Sequence, residues 1–286
     1  MGIREDWLLS TDIHITFIGG GNMARSLIGG LLQNGFAADR IQVADPSAAQ
    51  LEFLREKFSV RTTADNGTAI SGAQLVVFAV KPQVFRDVAR PLGTLLASTR
   101  PLILSIAAGI TESDIHRWLG YDAAIVRVMP NMPALVGAGA AALFANRFVT
   151  AGQRLLAETM LNTVGIALWM EDERHMDAVT AVSGCGPAYF FLIMEAMEAA
   201  ARELDLPAAV ARRLVLQTAY GAARMALTSA DDAATLRKQV ASPGGTTAAA
   251  LEVLEDAHLR RTFLQALIAA RDRGAELSRN FGRDPS

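Results

Sequence analysis

Short apolar runs alternate with helical patterns through the first part of the chain. Apolar runs with few polar interruptions predict strands at 13–18, 41–44, 75–80, 102–106 and 125–129. Helical periodicity predicts helices at 24–34 and 48–57. Strands and helices that alternate in this way indicate a parallel sheet with crossover helices on both faces. Two weaker strands, at 140–144 and 166–170, with a helix at 152–163 between them, are expected to extend the sheet.

The alternation of strand and helix patterns ends at about Asp172, after which no further strand is predicted. Helical patterns follow at 174–182, 187–204, 208–227, 231–240, 246–256 and 259–281. The segment 183–187 is expected to break one helix and to start the next. The chain is therefore predicted to be an α/β protein with a doubly wound parallel sheet in residues 1–172 and an all-helical domain in residues 173–286. Residues 1–11 are interpreted as a flexible tail.

The predicted helix 187–204 is apolar over most of its circumference. Its polar residues are mainly Glu195, Glu198, Arg202 and Glu203, which form one narrow stripe at helical spacing. One interpretation is a central core helix. The other, which we favour, is a helix buried between two copies of the chain, because a small helical domain has little interior to offer.

Composition excludes several classes of function. The 286 residues are 51% hydrophobic and 20% charged with a net charge of −2, which fits an ordered protein and gives no reason to expect nucleic-acid or membrane partners. The single cysteine, Cys185, cannot form an intramolecular disulfide and fits a reducing compartment. Charged residues near the N-terminus argue against a signal peptide, and no apolar run is long enough to span a membrane. We therefore expect a cytoplasmic protein.

A glycine-rich turn directly follows the first predicted strand. Residues 19–24, Gly-Gly-Gly-Asn-Met-Ala, fit the pattern G-x-G-x-x-A. The first glycine permits a tight turn, Gly21 lets backbone approach a pyrophosphate, and Ala24 lets the helix pack close to the strand. The new helix then offers free N–H groups and a positive dipole end to phosphates. This position in a strand–turn–helix unit predicts a Rossmann-type dinucleotide-binding domain.

Asp45, after the second strand, is the acidic residue expected to bind the adenosine ribose. Its charge would repel a 2′-phosphate and favours NADH. Pro46 follows, however, so the side chain could instead serve as a turn or cap residue, and the sequence leaves NADPH and NADH both open.

Ligands of doubly wound sheets bind beyond the carboxyl ends of the strands. Three such ends are distinctive: Lys81-Pro82-Gln83, Ala107-Ala108-Gly109 and Pro130-Asn131-Met132-Pro133. The small residues suit a flat ring, whereas Lys81 is as readily a solvated lysine as a cofactor contact.

In the helical half, residues 242–247, Ser-Pro-Gly-Gly-Thr-Thr, combine permissive glycines, hydroxyls and a helix start. That combination suits a carboxylate, although an ordinary capped helix start is the commoner meaning. The four histidines show no ligand spacing, and no Ser-His-Asp order is present, so neither a metal site nor a nucleophilic triad is expected.

Taken together, these segments resemble Δ1-pyrroline-5-carboxylate reductases over most of the chain. The resemblance is carried by FIGGGNMA (17–24), AVKPQ (79–83), SIAAGI (105–110), MPNMPALVGAG (129–139), DAVTAVSGCGPAY (177–189) and SPGGTT (242–247). It implies a Rossmann domain and an all-α domain that dimerises, with dimers often gathered into larger rings. It also implies reduction of the cyclic imine to L-proline with NADPH or NADH.

The resemblance also implies positions for the site residues. The expected cofactor contacts are Ile18, Gly19, Gly20, Gly21, Asn22, Met23, Asp45, Asn66, Ala79, Val80, Lys81, Pro82, Ile106, Ala107 and Ala108. The expected substrate contacts are Glu173, Gln239, Ser242, Gly244, Gly245, Thr246 and Thr247, of which Thr247 is the catalytic candidate. The family usually has threonine at Met132 and often serine at Cys185, so any role of those hydroxyls is in doubt here.

The hypothesis for the reaction is direct hydride transfer governed by positioning. The substrate carboxylate is expected on the N–H groups of 244–247, with the Thr247 hydroxyl hydrogen-bonded to the ring nitrogen. The alternatives are a reductase of a related imine or hydroxy acid and a catalytically silent NAD(P)-binding sensor or scaffold. A hydroxy-acid reductase of this architecture usually needs a lysine in its helical domain, and Lys238 is the only lysine after Lys81.

Overall fold

The computed structural model describes residues 13–283, and the stretch 1–11 interpreted above as a tail lies outside them. Eight strands form one sheet in the order β3-β2-β1-β4-β5-β6-β7-β8. Their bounds are Ile15–Ile18 (β1), Ile41–Ala44 (β2), Arg61–Thr63 (β3), Leu75–Phe78 (β4), Leu102–Ser105 (β5), Ile125–Met129 (β6), Gly139–Ala145 (β7) and Gly165–Trp169 (β8). All neighbouring pairs are parallel except β6 and β7.

Helices cover both faces of this sheet. They are α1 (Asn22–Gln33), α2 (Ala48–Phe58), α3 (Asn66–Ala69), α4 (Pro82–Ala89), α5 (Gly93–Thr99), α6 (Glu112–Leu119) and α7 (Ala151–Asn162). Alternate residues of the central strands pack into two separate apolar clusters, one built on α1 and α7 and the other on α4, α5 and α6. Since side chains alternate across a strand, strands covered on both faces must be apolar throughout, as the sequence pattern predicted.

The predicted doubly wound fold is confirmed, with local differences. Strand β3 was not predicted, because an exposed arginine and two half-buried threonines carry no apolar signal. Strand β7 runs antiparallel to β6, because only a short turn with a 3₁₀ helix at Met132–Val136 connects them. A parallel return would need a much longer crossover.

The later part of the chain is helical, as predicted. Its helices are α8 (Met176–Val179), α9 (Gly186–Glu203), α10 (Ala208–Thr228), α11 (Ala233–Gln239), α12 (Thr246–Asp256) and α13 (Leu259–Phe281). The break expected at 183–187 falls at Cys185, which lies between a π-helical turn, Thr180–Gly184, and the start of α9 at Gly186. By packing, the chain divides into a sheet unit, which runs to Cys185 and resumes at Ala270, and a helical unit, Gly186–Ala269.

Within a single chain, α9 is largely exposed although it is apolar. Phe190 and Phe191 are each 64% exposed and Leu192 is 65% exposed. Among the described residues, Glu173–Glu203 is the one stretch long and apolar enough to cross a membrane by composition alone. An apolar helix left this open in one copy of a chain is the kind of surface that a second copy covers.

Candidate active site

The glycine turn follows β1 and lies between the carboxyl ends of the neighbouring strands β2 and β4. Gly19 has φ +101°, and a Cβ there would lie 2.6 Å from the Ala79 carbonyl oxygen, so only glycine fits. The Gly19 N–H donates to the Ala44 carbonyl at 2.7 Å, and the Ala79 N–H donates to the Ile18 carbonyl at 2.8 Å. The turn is therefore fixed to the ends of both neighbouring strands.

Gly21 leaves room where a dinucleotide pyrophosphate is expected. A Cβ on Gly21 would meet nothing within 4 Å. Gly21 is also the N-cap of α1 and provides no side-chain cap, so the first-turn N–H groups of this 12-residue helix stay open to an anion. These residues fit a bound NAD(P)(H), with the pyrophosphate held by backbone N–H groups.

Asp45 contacts the glycine turn itself. Its Oδ2 accepts from the Gly20 N–H at 2.8 Å, and its Oδ1 accepts from the Ser47 N–H at 2.9 Å. The carboxylate thus links the glycine turn to the start of α2, which makes it the turn residue that the following proline suggested. Its charge nevertheless lies at the end of β2. Each carboxylate oxygen accepts only one of these two bonds and so keeps a lone pair for a ribose hydroxyl.

The other expected cofactor residues lie at adjacent strand ends of the same sheet. The Ile106 N–H donates to the Phe78 carbonyl at 3.2 Å, which places the residues after β5 beside those after β4. Ala107 is buried, whereas Ala108 and Lys81 are exposed. Pro82 opens α4, and Asn66 opens the short helix α3 after β3.

The end of α13 supports the turn after β5. Gly109 has φ +76°, and its Cβ position lies 3.4 Å from Ser278 Oγ and 3.5 Å from the Phe281 ring. Phe281 also packs against the buried cluster that contains Ala107. The last helix of the chain therefore supports the turn along which the nicotinamide is expected to lie.

The segment 242–247, in the helical unit, is a second place where backbone N–H groups are available to an anion. The Gly245 N–H donates to the Ser242 carbonyl at 3.0 Å, and Gly244 has φ +71°, which a turn of this shape requires. Gly245 is the N-cap of α12 and provides no side-chain cap. The first N–H groups of this 11-residue helix, including those of Thr246 and Thr247, are open.

Gln239 and Glu173 already have partners. Gln239, the last residue of α11, donates from Nε2 to Asp231 Oδ2 at 2.8 Å. Glu173 belongs to the sheet unit, where its Oε1 accepts from Arg127 Nη1 at 2.5 Å and from the Glu112 N–H at 2.6 Å. Arg127 is 7% exposed, so Glu173 is the counter-ion of a buried arginine.

Two arginines that the sequence analysis did not single out contact the site residues: Arg25 at the glycine turn and Arg127 beside Glu173. Arg25 on α1 donates to the Gly20 carbonyl at 3.3 Å, hydrogen-bonds the Gln50 side chain, and lies over the Phe53 ring at 3.8 Å from its centroid. Arg127, inside β6, was hidden within a strand pattern. Their side-chain partners, Gln50 and Glu173, lie 25 and 46 positions away, so no local spacing could have revealed either role.

Asp177 on α8 is a second carboxylate beside Arg127. Burial raises the pKa of Asp177 above its usual 3.8, the Arg127 charge acts against that rise, Glu173 adds to it, and Arg279 opposes it. The fold therefore tolerates the protonated form of Asp177 better than the ionised form.

Asp177→Asn is expected to stabilise the protein at neutral pH. A carboxyl whose pKa is raised on folding contributes its full stability below its unfolded pKa, and this contribution is lost as pH rises through the folded pKa. Asparagine stays neutral throughout, so the variant should resist urea better than wild type at pH 7 and match it below pH 3.8, the ordinary pKa of the group. Lower stability of the variant at pH 7 would mean that attraction to the arginines outweighs burial.

Within residues 13–283, no group of three or more His, Cys, Asp or Glu side chains is placed to hold a metal ion. Cys185 is a half-buried free thiol.

Comparisons with known proteins agree with this geometry. Residues 173–277 match the family profile described as pyrroline-5-carboxylate reductase dimerisation, and residues 14–109 match one described as NADP oxidoreductase coenzyme F420-dependent. A pyrroline-5-carboxylate reductase of Pseudomonas aeruginosa is 47% identical over 94% of this chain and 98% of its own length. One of Haemophilus influenzae is 44% identical over 93% of this chain and 98% of its own length.

Solved structures agree as well. A pyrroline-5-carboxylate reductase of Coxiella burnetii superposes with a TM-score of 0.90 at 46% identity and covers 93% of this chain and 99% of its own. A Plasmodium falciparum pyrroline carboxylate reductase with NADP bound gives a TM-score of 0.83 at 29% identity and covers 93% of this chain and 98% of its own. With both the sheet unit and the helical unit matched at these levels, the chain belongs to the pyrroline-5-carboxylate reductase family.

Proposed function

We propose that this protein reduces Δ1-pyrroline-5-carboxylate to L-proline with NADPH or NADH. The observation that carries the proposal is the turn 242–247, whose open N–H groups at the start of α12 suit a small carboxylate. A chain that combines this turn with a dinucleotide-binding glycine loop has the two binding functions that the reaction needs. Family membership names the substrate.

In the proposed mechanism, the protein mainly binds the dinucleotide and the substrate and orients them for hydride transfer. The open N–H groups of α1 would hold the pyrophosphate, and the small side chains of Ala107 and Ala108 at the strand ends would leave room for a flat ring. The N–H groups at 244–247 hold the substrate carboxylate. When bound, the reduced nicotinamide supplies the hydride.

Reduction of the imine needs only a hydride and the proton already on the ring nitrogen. Carbon C5 of the protonated imine accepts the hydride, the C5=N π electrons become the nitrogen lone pair, and the product is the amine of proline. The Thr247 hydroxyl accepts a hydrogen bond from the ring N–H, which favours the protonated, more electrophilic imine. Thr247 therefore has a modest role, since the imine is already reactive once protonated.

Thr247→Ala should lower kcat about tenfold, the effect of losing one hydrogen bond to a charged group, and should leave cofactor binding unchanged. Steady-state turnover and a fluorescence titration with NADPH measure the two quantities. Thr262→Ala is the matched control, because the Thr262 hydroxyl donates to the carbonyl of His258, the residue just before its own helix α13. Unchanged turnover in the Thr247 variant would exclude the role.

Assembly is part of the proposal. The dimerisation profile and the exposed apolar surface of α9 support a homo-oligomer, and we propose that dimers associate into a larger ring. Residues 173–286 then act as the domain that binds substrate and dimerises, and residues 1–172 as the dinucleotide-binding domain. A cytoplasmic location fits a chain whose one cysteine has no intramolecular partner.

The test is loss of reduced-nicotinamide absorbance with purified protein and Δ1-pyrroline-5-carboxylate, run in parallel with NADPH and NADH. Oxidation accompanied by proline formation supports the proposal, and the ratio of the two rates shows how much the Asp45 charge disfavours a 2′-phosphate. Binding of both cofactors without oxidation of either would contradict it.

A further inference from the structure

The helical segment that leads into α9 contains a carbonyl whose α-helical donor is missing. In an α-helix the carbonyl of Ser183 would accept from the N–H of residue 187, but that residue is proline and has no N–H. A proline ring also crowds the carbonyl four residues earlier. The chain widens here into the π-helical turn Thr180–Gly184, in which the Cys185 N–H donates to the Thr180 carbonyl at 2.8 Å.

Asn131 provides the missing donor from another part of the fold. Its Nδ2 lies 3.2 Å from the Ser183 carbonyl oxygen and 3.2 Å from Ser183 Oγ. Its Oδ1 accepts from the Ala140 N–H at 2.9 Å, at the start of β7. One half-buried amide thus joins three segments: the turn after β6, the start of β7 and the π-helical turn.

Asn131 also borders the expected nicotinamide position. Strands β5 and β6 pair in parallel with Ser105 opposite Arg127, so their carboxyl ends run side by side. Continuing that register brings Ala107 opposite Met129, and Asn131 follows two residues later on the turn. The amide is occupied by backbone groups and by a serine, so it acts on the shape of the turn rather than on a ligand.

We propose that Asn131 is a positioning residue for hydride transfer. By hydrogen-bonding the carbonyl that Pro187 deprives of its α-helical donor, it fixes the turn 130–133 against the π-helical turn and so fixes one wall of the nicotinamide site. This role rests on the proposed function. Loss of the amide should misplace the reacting carbons while leaving the pyrophosphate contacts, which lie at β1 and α1, unchanged.

Asn146 offers a matched control at the opposite end of β6. Its Nδ2 donates to Glu112 Oε1 at 2.8 Å and to the Ala123 carbonyl at 2.9 Å. Its Oδ1 accepts from the N–H groups of Ile125 and Phe148. The two asparagines make similar numbers of bonds, but only Asn131 lies at the carboxyl end of the strand.

The experiment compares Asn131→Ala, the isosteric Asn131→Asp and Asn146→Ala in the full-length protein. We measure kcat, the Kd for NADPH by fluorescence, the melting temperature, and the kinetic isotope effect on kcat with C4-deuterated NADPH. Both Asn131 variants should lose kcat by about tenfold or more, with an enlarged isotope effect and a Kd within about threefold of wild type. Asn146→Ala should lose thermal stability and keep kcat within about threefold.

Unchanged kcat in both Asn131 variants, or a loss of kcat in Asn146→Ala as large as theirs, would overturn the assignment. A weaker Kd that accounts for the whole loss would overturn it too, since positioning of the reacting carbons would then not be the cause. Failure of wild type to oxidise NADPH would instead reject the proposed function, which separates the two claims.

Discussion

Replacing Gly21 with valine is expected to weaken NAD(P)H binding by about a hundredfold or more while leaving the folded protein intact. A Cβ at Gly21 meets nothing within 4 Å, so the protein itself has room for a side chain. The same space lies over the open N–H groups at the start of α1, where the pyrophosphate must approach the backbone. Fluorescence titration with NADPH and the melting temperature measure the two parts of this prediction.

Gly152→Val controls for the effect of placing a valine at the start of any helix. Gly152 lies in the first turn of α7, and a Cβ there also meets nothing within 4 Å. Gly152→Val should therefore bind NADPH like wild type. Gly19→Ala differs from both, because its Cβ would collide with the Ala79 carbonyl and distort the turn itself. Normal NADPH affinity in Gly21→Val would mean that the dinucleotide does not lie over this turn.

Glu173→Ala is expected to destabilise the protein by about 3 kcal/mol, because it leaves the buried Arg127 without its nearest counter-ion. The Arg127 side chain is 8% exposed and that of Glu173 is 26% exposed, so solvent compensates little. The Glu112 N–H at the start of α6 also loses its acceptor. Urea unfolding at pH 7 measures the loss.

This variant also separates two roles for Glu173. If Glu173 contacts the substrate, as the resemblance implies, the KM for Δ1-pyrroline-5-carboxylate should rise along with the loss of stability. If it serves only Arg127, KM should stay near wild type. Glu171→Ala, which removes an exposed carboxylate two residues earlier, is the control and should change neither quantity. Wild-type stability in Glu173→Ala would contradict the structural role of the ion pair.

The elements with strong periodic patterns were predictable from the sequence. Strands such as Leu75–Phe78 are buried on both faces, and that burial requires a continuous apolar run. The glycine turn was predictable because backbone geometry at Gly19 admits no side chain. The start of α12 at Thr246 was predictable because permissive glycines and hydroxyl residues directly precede a helical pattern.

Features that depend on contacts between distant residues could not be predicted in the same way. Strand β3 owes its place to pairing with β2, since its own residues carry no strand pattern. The amide of Asn131 and the carbonyl of Ser183 are 52 positions apart, and the π-helical turn that contains Ser183 has no sequence pattern of its own. The role of Asp45 was left between two interpretations, because only the fold brings Gly20 within its reach.

Transfer of deuterium from C4 of the reduced cofactor to the product tests the central claim most directly. Incubation with stereospecifically C4-deuterated NADPH or NADH and Δ1-pyrroline-5-carboxylate should give L-proline that carries one deuterium at C5. The opposite C4 stereoisomer of the labelled cofactor should give unlabelled proline, since a fixed nicotinamide presents one face. Proline without label from either stereoisomer, or no proline at all, would contradict direct hydride transfer in this protein.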